Sequence, residues 1–399
     1  MLRARKFCWR IILVALAVVS VAGSAPAAIT GGPSAGVAPG NPDIGTVASF
    51  ASFRDELRAI LAGDDPDVWL CQPVAAYCDL LRDTYWSAVN LVLPSASNTL
   101  NWIYLASALA VGGLIYTIRS GGAGLRGALR FMLPGSVYFH RSAVVDYKYY
   151  FVNGLLLSLV SFSTMILSSK YVADAATTLL DGAFGEADWS AQPDWADRLV
   201  YTVALVLALD LGYYLFHRLV HGVPLLWEFH KVHHAAEVLT PVTGARNHPV
   251  DSLLEWAFTT SALGLAQGTF AHLYGLELDA FTLFNTSAVM FCFNLTANLR
   301  HTHVWVCYGR IASHIVLSPA QHQIHHSIAP RHLGKNLGRV FSLWDWIFGT
   351  LYVPKAQEAL TIGLDGGESA DYRGVWRCYA IPFSKALRLA NSRRLAPRT

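Results

Sequence analysis

The chain is short of charge. Only 14% of its 399 residues are Asp, Glu, Lys or Arg, against roughly 25% in an ordinary soluble domain. Hydrophobic residues reach 53%, and the two figures together exclude a disordered chain and a large solvated enzyme. A long basic run is missing and the net charge is only +3, so nucleic acid is not expected as a partner. None of the six cysteines forms a C-x-x-C pair, which excludes the common thiolate zinc modules. Cys71 and Cys78 are the only cysteines close in sequence. A disulfide between them fits if the segment reaches an oxidising compartment, and two free thiols fit equally well. A G-x-S-x-G elbow and a Ser/His/Asp signal are also missing, which disfavours covalent hydrolysis. Gly122-Ala-Gly124-Leu-Arg-Gly127 matches G-x-G-x-x-G formally, but it follows an apolar helix rather than a strand, so dinucleotide binding is not expected there. What remains is the composition of a membrane protein.

The N-terminus reads as an export signal or signal-anchor over 1–28. Arg3, Arg5, Lys6 and Arg10 precede an apolar run from Ile11 to Ala22, and small residues follow. Residues 29–98 read as an extracytoplasmic linker with a small helical segment. Spanning-length apolar segments then recur at 100–118, 149–168, 199–216, 252–272 and 279–297. The last two carry Glu255, Gln267, Asp279 and Asn285, which fits a tilted or partly spanning hairpin. Charge orients the stack. Residues 119–148 carry five bases and one acid, residues 169–198 six acids and two bases, and Arg373 to Arg398 seven bases and no acid. This places 30–98 and 169–198 outside, and 119–148, 217–251 and everything after Leu299 inside. The expected fold is all-α and polytopic, with about four to five membrane helices and a helical, histidine-rich di-metal domain at the cytoplasmic face. Residues 99–198 form helices and loops of no recognised family, 199–354 the histidine domain, and 355–399 a basic cytoplasmic tail.

Fourteen of the fifteen histidines fall between positions 217 and 332. His217-Arg-Leu-Val-His221 is an H-x3-H pair. His230-Lys-Val-His233-His234 and His322-Gln-Ile-His325-His326 are both H-x2-HH triplets. On a helix, residues three and four apart share a face, with Cβ atoms about 5–6 Å apart. Imidazoles at i and i+4 can therefore close on one metal ion, and an H-x2-HH triplet can reach two neighbouring ions. Imidazole suits Zn, Cu, Fe and Ni, whereas Mg or Ca would demand carboxylate oxygens. A lone histidine in an apolar protein is more often a core or loop residue, which is the reading for His140, His272 and His314. His248, in a polar turn before a helix, and His301 are favoured as further ligands. His303 is close enough to substitute for His301, and His332 is read as standing behind the ligands or as structural. Asp210 lies two helical turns before His217 on the same face, inside a spanning segment. An acid there is costly and points to a partner role behind the ligands, with Tyr213 or Tyr214. Glu237, Asp251 and Asp345 are weaker candidates for that role.

The stretch from Asp210 to Tyr352 resembles the fatty acid hydroxylase/sterol desaturase superfamily of integral-membrane oxygenases. The likeness rests on Asp210-Leu-Gly-Tyr-Tyr-Leu-Phe-His217-Arg-Leu-Val-His221, Trp227-Glu-Phe-His230-Lys-Val-His233-His234 and Thr243-Gly-Ala-Arg246-Asn-His248-Pro. It continues through Ser318-Pro-Ala-Gln-His322-Gln-Ile-His325-His326, Asn336-Leu-Gly and Trp344-Asp345-Trp-Ile-Phe-Gly-Thr. Residues 1–198 carry no such signature. The resemblance implies two iron ions and O2 as co-substrate in an oxygenase that breaks a C–H bond of a lipid. It carries the metal-ligand roles onto His217, His221, His230, His233, His234, His322, His325 and His326, with His248 and His301 where additional ligands are expected. Leu299-Arg300-His301-Thr302-His303 departs from the pattern, with a second His where many relatives have Asn, and leaves the ninth and tenth ligands open.

The expected function is hydroxylation of a fatty acyl, sterol or related lipid, with desaturation by the same centre as the close alternative. An inert zinc-binding relative and a metal transporter are the rivals. Zinc accepts the same imidazoles, but a transport path would place ligands near the bilayer midplane. No flavin or haem carrier is visible, so electrons should come from a separate ferredoxin-, cytochrome b5- or reductase-like partner. The signal, the basic inside loops and the alanine-rich composition suggest a bacterial inner membrane; an endoplasmic reticulum location fits the same signals.

Overall fold

The computed structural model describes residues 98–121, 124–160, 168–186, 193–283 and 286–395. The export signal and the Cys71–Cys78 pair lie outside them. The described chain is mostly helical. Its main helices are α1 (Trp102–Ser120), α2 (Gly124–Met132), α3 (Arg141–Val160), α4 (Ser169–Phe184), α5 (Trp195–Gly222), α6 (Pro224–His234), α7 (Pro249–Tyr274), α8 (Ala288–Ala297), α9 (Pro319–His325), α10 (Leu343–Phe348) and α11 (Val375–Leu395).

Among the described residues, α1 and α5 are the two helices long and apolar enough to cross a membrane. α1 starts at Asn101, whose side chain accepts from the Ile103 amide, and stops at Gly121, which takes the left-handed conformation that glycine tolerates. Among the described residues, Leu109, Leu114 and Ile118 of α1 are exposed large apolar side chains. α5 opens with a capping box between Asp194 and Asp197 and runs for 28 residues, about 42 Å at 1.5 Å each. α7 matches the expected 252–272 segment in place, but its Thr259, Thr260 and Gln267 leave it less apolar than α1 or α5. The two threonine hydroxyls donate to backbone carbonyls one turn back, so neither is stranded. The expected 149–168 segment falls partly on α3, which begins earlier, and partly outside the described residues.

The segment 279–297 does not form one spanning helix. It opens with a small antiparallel hairpin, β1 (Thr282–Leu283) and β2 (Thr286–Ser287), pairing Thr282 with Ser287 and Leu283 with Thr286. Only ten residues of helix α8 follow, about 15 Å against a hydrocarbon core of about 30 Å. The polar Asp279 and Asn285 had flagged this segment, and the chain instead anchors there by donating the Phe281 amide to Thr202 Oγ1.

α5 and α7 run antiparallel. Gly212 of α5 makes the approach possible, since a Cβ there would stand 2.7 Å from the Phe258 carbonyl. α4, expected in an outside loop, is a helix laid against the C-terminal half of α7 in the same direction. Gly264-Leu-Ala-Gln-Gly268 lets the backbones meet: a Cβ on Gly264 or Gly268 would collide with the carbonyls of Ser169 and Ala173. This is the small-x-x-x-small device of membrane helix pairs. The stretch after 354, read as a tail, is packed as well. Tyr372 and Cys378 are buried with Val145, Tyr149 and Val232, and Lys231 of α6 bonds Glu228 and, at 3.0 Å, Glu368. These contacts bring α3, α6 and α11 around one end of the α5–α7 pair, where the histidines gather.

Candidate metal centre

The C-terminal turns of α5 supply His217 and His221, one helical turn apart. Pro224 at the first position starts α6, which carries His230, His233 and His234. α9 is short, but a Ser318–Gln321 capping box and Pro319 define its start. Gln321 Nε2 donates to Ser313 O, and Gln323 Nε2 grips the carbonyls of Leu299 and Val304 at 3.1 and 2.9 Å. The second bond pair ties α9 to the 3-10 turn Asn298–His301, so Gln323 sets the position of His301.

Nine histidines assemble into two adjoining groups. His217, His221, His230, His234 and His325 form one, and His233, His301, His322 and His326 the other; within each, the candidate ligand atoms all lie within 4.8 Å of one another. The helix period explains the division. Each H-x2-HH triplet gives its i and i+4 members to one group and its i+3 member to the other, and the two triplets do so in opposite senses. Consecutive histidines therefore straddle the groups, and the rings of His234 and His326 are 4.7 Å apart across the boundary.

In the five-histidine group, three rings have their tautomer fixed from behind. His217 Nδ1 donates to Leu337 O at 2.7 Å, His325 Nδ1 to Lys335 O at 2.9 Å, and His230 Nδ1 to Asp251 Oδ2 at 3.0 Å. A carbonyl can only accept, so on His217 and His325 the ring proton sits on Nδ1 and Nε2 faces inward as a bare lone pair; Asp251 does the same for His230 when it is ionised. His217 Nε2 and His230 Nε2 are 3.2 Å apart, and with Asp251 ionised both are acceptors facing each other. His221, His234 and His325 Nε2 are buried without a partner. Burial pushes the His230 imidazole well below its ordinary value and His325 down to about 4, so protonation does not relieve the repulsion at neutral pH. A cation does. The residues fit a metal with nitrogen ligands.

The four-histidine group is built differently. His322 Nε2 lies 3.0 Å from His301 Nε2 and 3.2 Å from His326 Nε2, and the Nδ1 atoms of His233, His322 and His326 are buried without partners. Burial lowers His233 to about 3 and pushes His301, His322 and His326 well down. The loop Pro241–Asn247 closes this side: a Cβ on Gly244 would stand 3.2 Å from His301 Nδ1. That loop is anchored across the fold. Arg246 Nη1 and Thr243 Oγ1 donate to the two oxygens of buried Asp146 on α3, at 2.7 and 2.6 Å, and Tyr149 Oη and Asn153 Nδ2 donate to Asn247 O.

The remaining expected residues fall as follows. Asp210 is buried but does not touch a ring: its oxygens accept from the Val340 and Phe341 amides at 2.7 and 2.9 Å. Asp345 accepts from the Leu337 and Gly338 amides, both at 2.8 Å. The two aspartates thus clamp the loop whose carbonyls orient His217 and His325. Tyr213 packs on His217, ring centroids 5.2 Å apart, while Tyr214 turns away to Thr350 and Arg218. Asp251, weighed lightly in the sequence, makes the direct carboxylate bond. Glu237 pairs instead with Arg373. His248 is not brought to either group. It caps α7, with Nδ1 accepting from the Val250 amide at 3.1 Å and Nε2 bonded to Tyr379 O at 3.3 Å; the helix start at Pro249 claims the side chain. His303 bonds Phe131 O, His332 bonds Glu358, and His272 bonds Asp181 at the far end of α7. Gln323, Asn336 and Asp146 were missed. Asn336, at φ 56°, is the one non-glycine residue at positive φ among the described residues, and its amide joins Gln321 O to the Tyr352 amide. An Asn-x-Gly run is a weak local signal for that conformation.

Residues 202–350 match the family model described as fatty acid hydroxylase. This segment belongs to the fatty acid hydroxylase/sterol desaturase superfamily. The superfamily segment contains all nine grouped histidines. Relatives include an alkylglycerol monooxygenase of Danio rerio, 29% identical over 156 residues that make up 39% of this chain and 31% of that protein. An ornithine lipid hydroxylase of Rhizobium tropici is 29% identical over 194 residues, 48% of this chain and 54% of that protein. A delta(7)-sterol-C5(6)-desaturase of Nicotiana tabacum is 25% identical over 171 residues, 41% of this chain and 54% of that protein. The chain therefore spans about a third to about half the length of these relatives. No solved structure matches it.

Proposed function

We propose that the chain is a membrane-bound oxygenase that uses O2 and external electrons to hydroxylate a C–H bond of a lipid. The observation that carries this reading is the convergence of nine buried or half-buried imidazoles into two adjoining groups of candidate ligand atoms, with proton-free nitrogens turned inward at His217 and His325. A pair of iron ions held there supplies O2 activation and hydrogen abstraction, chemistry that no side chain here can perform alone. The protein's part is to prepare the ligands. The carbonyls of Leu337 and Lys335 and the Asp251 carboxylate hold a proton on each outer Nδ1. The Asp210 and Asp345 carboxylates keep that carbonyl-bearing loop in place, and close packing keeps bulk water from the rings. The apolar flanks of α1 and α5 leave the body of a lipid in the bilayer while its reacting carbon approaches the histidines.

In hydroxylation one oxygen atom enters the lipid and the other leaves as water, with two electrons and two protons drawn from outside. A separate electron-donor protein fills that need. The basic stretches 119–148 and 373–398 orient the histidines toward the cytoplasm of a bacterial inner membrane. Desaturation shares the first hydrogen abstraction and is the alternative outcome of the same site. A structural zinc role fits less well, because structural zinc is almost always four-coordinate and one group presents five imidazoles. The deciding experiment supplies the purified protein with a reductant, isotopically labelled O2 and candidate membrane lipids. Hydroxylation adds label to the product, and desaturation removes two hydrogens without adding it. Stoichiometric zinc that iron cannot displace, with no product of either kind, would contradict the proposal.

A further inference from the structure

Arg300 stands immediately before His301 and is only 6% exposed. Its guanidinium stacks over the Phe293 ring at 4.4 Å, but among the described residues it has no ion pair and no hydrogen bond, and its Nη2 is buried without a partner. Within electrostatic reach are Tyr213, Tyr308, Asp210 and a second cation, Arg339. The Asp210 oxygens are already taken by two backbone amides. Arg339 is half-exposed; it bonds Glu255 at 3.1 Å and lies 5.4 Å from the centroid of Tyr213, the ring that packs on His217. Two guanidinium groups thus converge beside both histidine groups, one buried and empty-handed, the other at a partly open edge.

A buried cation with no hydrogen bond or direct ion pair is costly, and Asp210 reaches this one only through space. Here the cost rises further, because the neighbouring imidazoles are neutral and metal ions among them would add positive charge. Five N–H donors in a fixed fork match a phosphate or carboxylate. We propose that Arg300, with Arg339, forms a subsite for an anionic oxygen group, a phosphate or carboxylate, carried by the substrate lipid or arriving as a free anion. The inference rests on the lipid-oxygenase reading for its meaning, and it names what that reading leaves open: an anionic group sits beside the site where the lipid reacts. Arg339 meets the anion at the edge, and Arg300 holds it inside.

The test uses full-length protein, purified in detergent with its bound metals, and dioleoyl phosphatidate against dioleoylglycerol as probes, with retained lipid read by native mass spectrometry. The wild type should prefer phosphatidate on the order of ten-fold or more. Arg300→Gln should abolish the preference at unchanged metal content, and Arg300→Lys should keep part of it. Displacement of phosphatidate by inorganic phosphate, or binding of phosphate alone, assigns the subsite to the anion itself rather than to the lipid body and supports the proposal. A wild-type preference retained in Arg300→Gln overturns it. Should that variant lose its metal, Arg339→Gln decides in the same way. Binding is read without turnover, so an anion site that survives while no oxygenated product forms would separate the failure of the proposed function from the failure of this inference.

Discussion

The two histidine groups are neighbours built on different principles. The five-histidine group stands on helices whose ligands repeat at i and i+4, and its rings are held from behind by Leu337 O, Lys335 O and Asp251. The four-histidine group takes His301 from a 3-10 turn and leans on a loop that reaches back to Asp146, a hundred residues earlier in the chain. One group is oriented by bonds to its own rings, and the other by the packing of elements far apart in sequence. The first should resist changes outside the superfamily segment, and the second should not.

The largest effect comes from opening either group. His325→Ala removes a member of the first and His233→Ala a member of the second. Each should abolish oxygenated product, and metal analysis should find one ion lost and the other kept. Loss of both ions in both variants would mean that the groups act as one unit, and the comparison would fail. Asp146→Ala comes next. It strands Arg246 in the core, a loss of about 3–5 kcal/mol of stability, visible as a lower thermal midpoint, and it should weaken metal retention in the four-histidine group first.

Asp251→Asn sharpens the contrast from the other side. Removing the carboxylate behind a ligating histidine typically costs about 10–100-fold in metal affinity, and a chelator titration should show that loss for one ion only. Gly268→Val should spare both ions. It forces α4 and α7 apart and should cost about 1–3 kcal/mol of stability, as overpacking does. The smallest change belongs to His248→Gln, which should leave metal content intact and weaken the start of α7 by about 1 kcal/mol. Burial lowers the His248 imidazole to about 4. Its unfolded form takes up a proton near pH 6.5, so its contribution to stability is present above that pH and is lost as pH falls toward 4. His248→Gln should flatten that part of the stability profile.

Much of the centre was legible because its geometry is local. The spacing of His230, His233 and His234, and of His322, His325 and His326, is a property of one helix turn. The choice between His301 and His303 was not local: it depends on Gln323 fixing the 3-10 turn, which sends His301 inward and leaves His303 to bond Phe131 O. Arg246-Asn-His248-Pro looks like a ligand turn until the helix after it is seen to use the ring as a cap. Asp210 was singled out by its depth, yet its oxygens reach the Val340 and Phe341 amides rather than His217, while Asp251 at the head of α7 reaches His230. The bond from Arg246 to Asp146 leaves no trace in local pattern. Hydropathy read α1 and α5 well because both are long, continuous apolar helices. At 279–297 a short hairpin takes up the first part of the apolar run and leaves only ten residues of helix.

The most direct test is metal content of the detergent-purified protein, expressed with iron supplied and no added zinc. Two metal ions per chain in the wild type are expected, falling to one in His325→Ala and in His233→Ala and remaining two in His248→Gln. A wild type without stoichiometric metal would contradict the account, because the facing imidazole nitrogens would then have no cation to explain them.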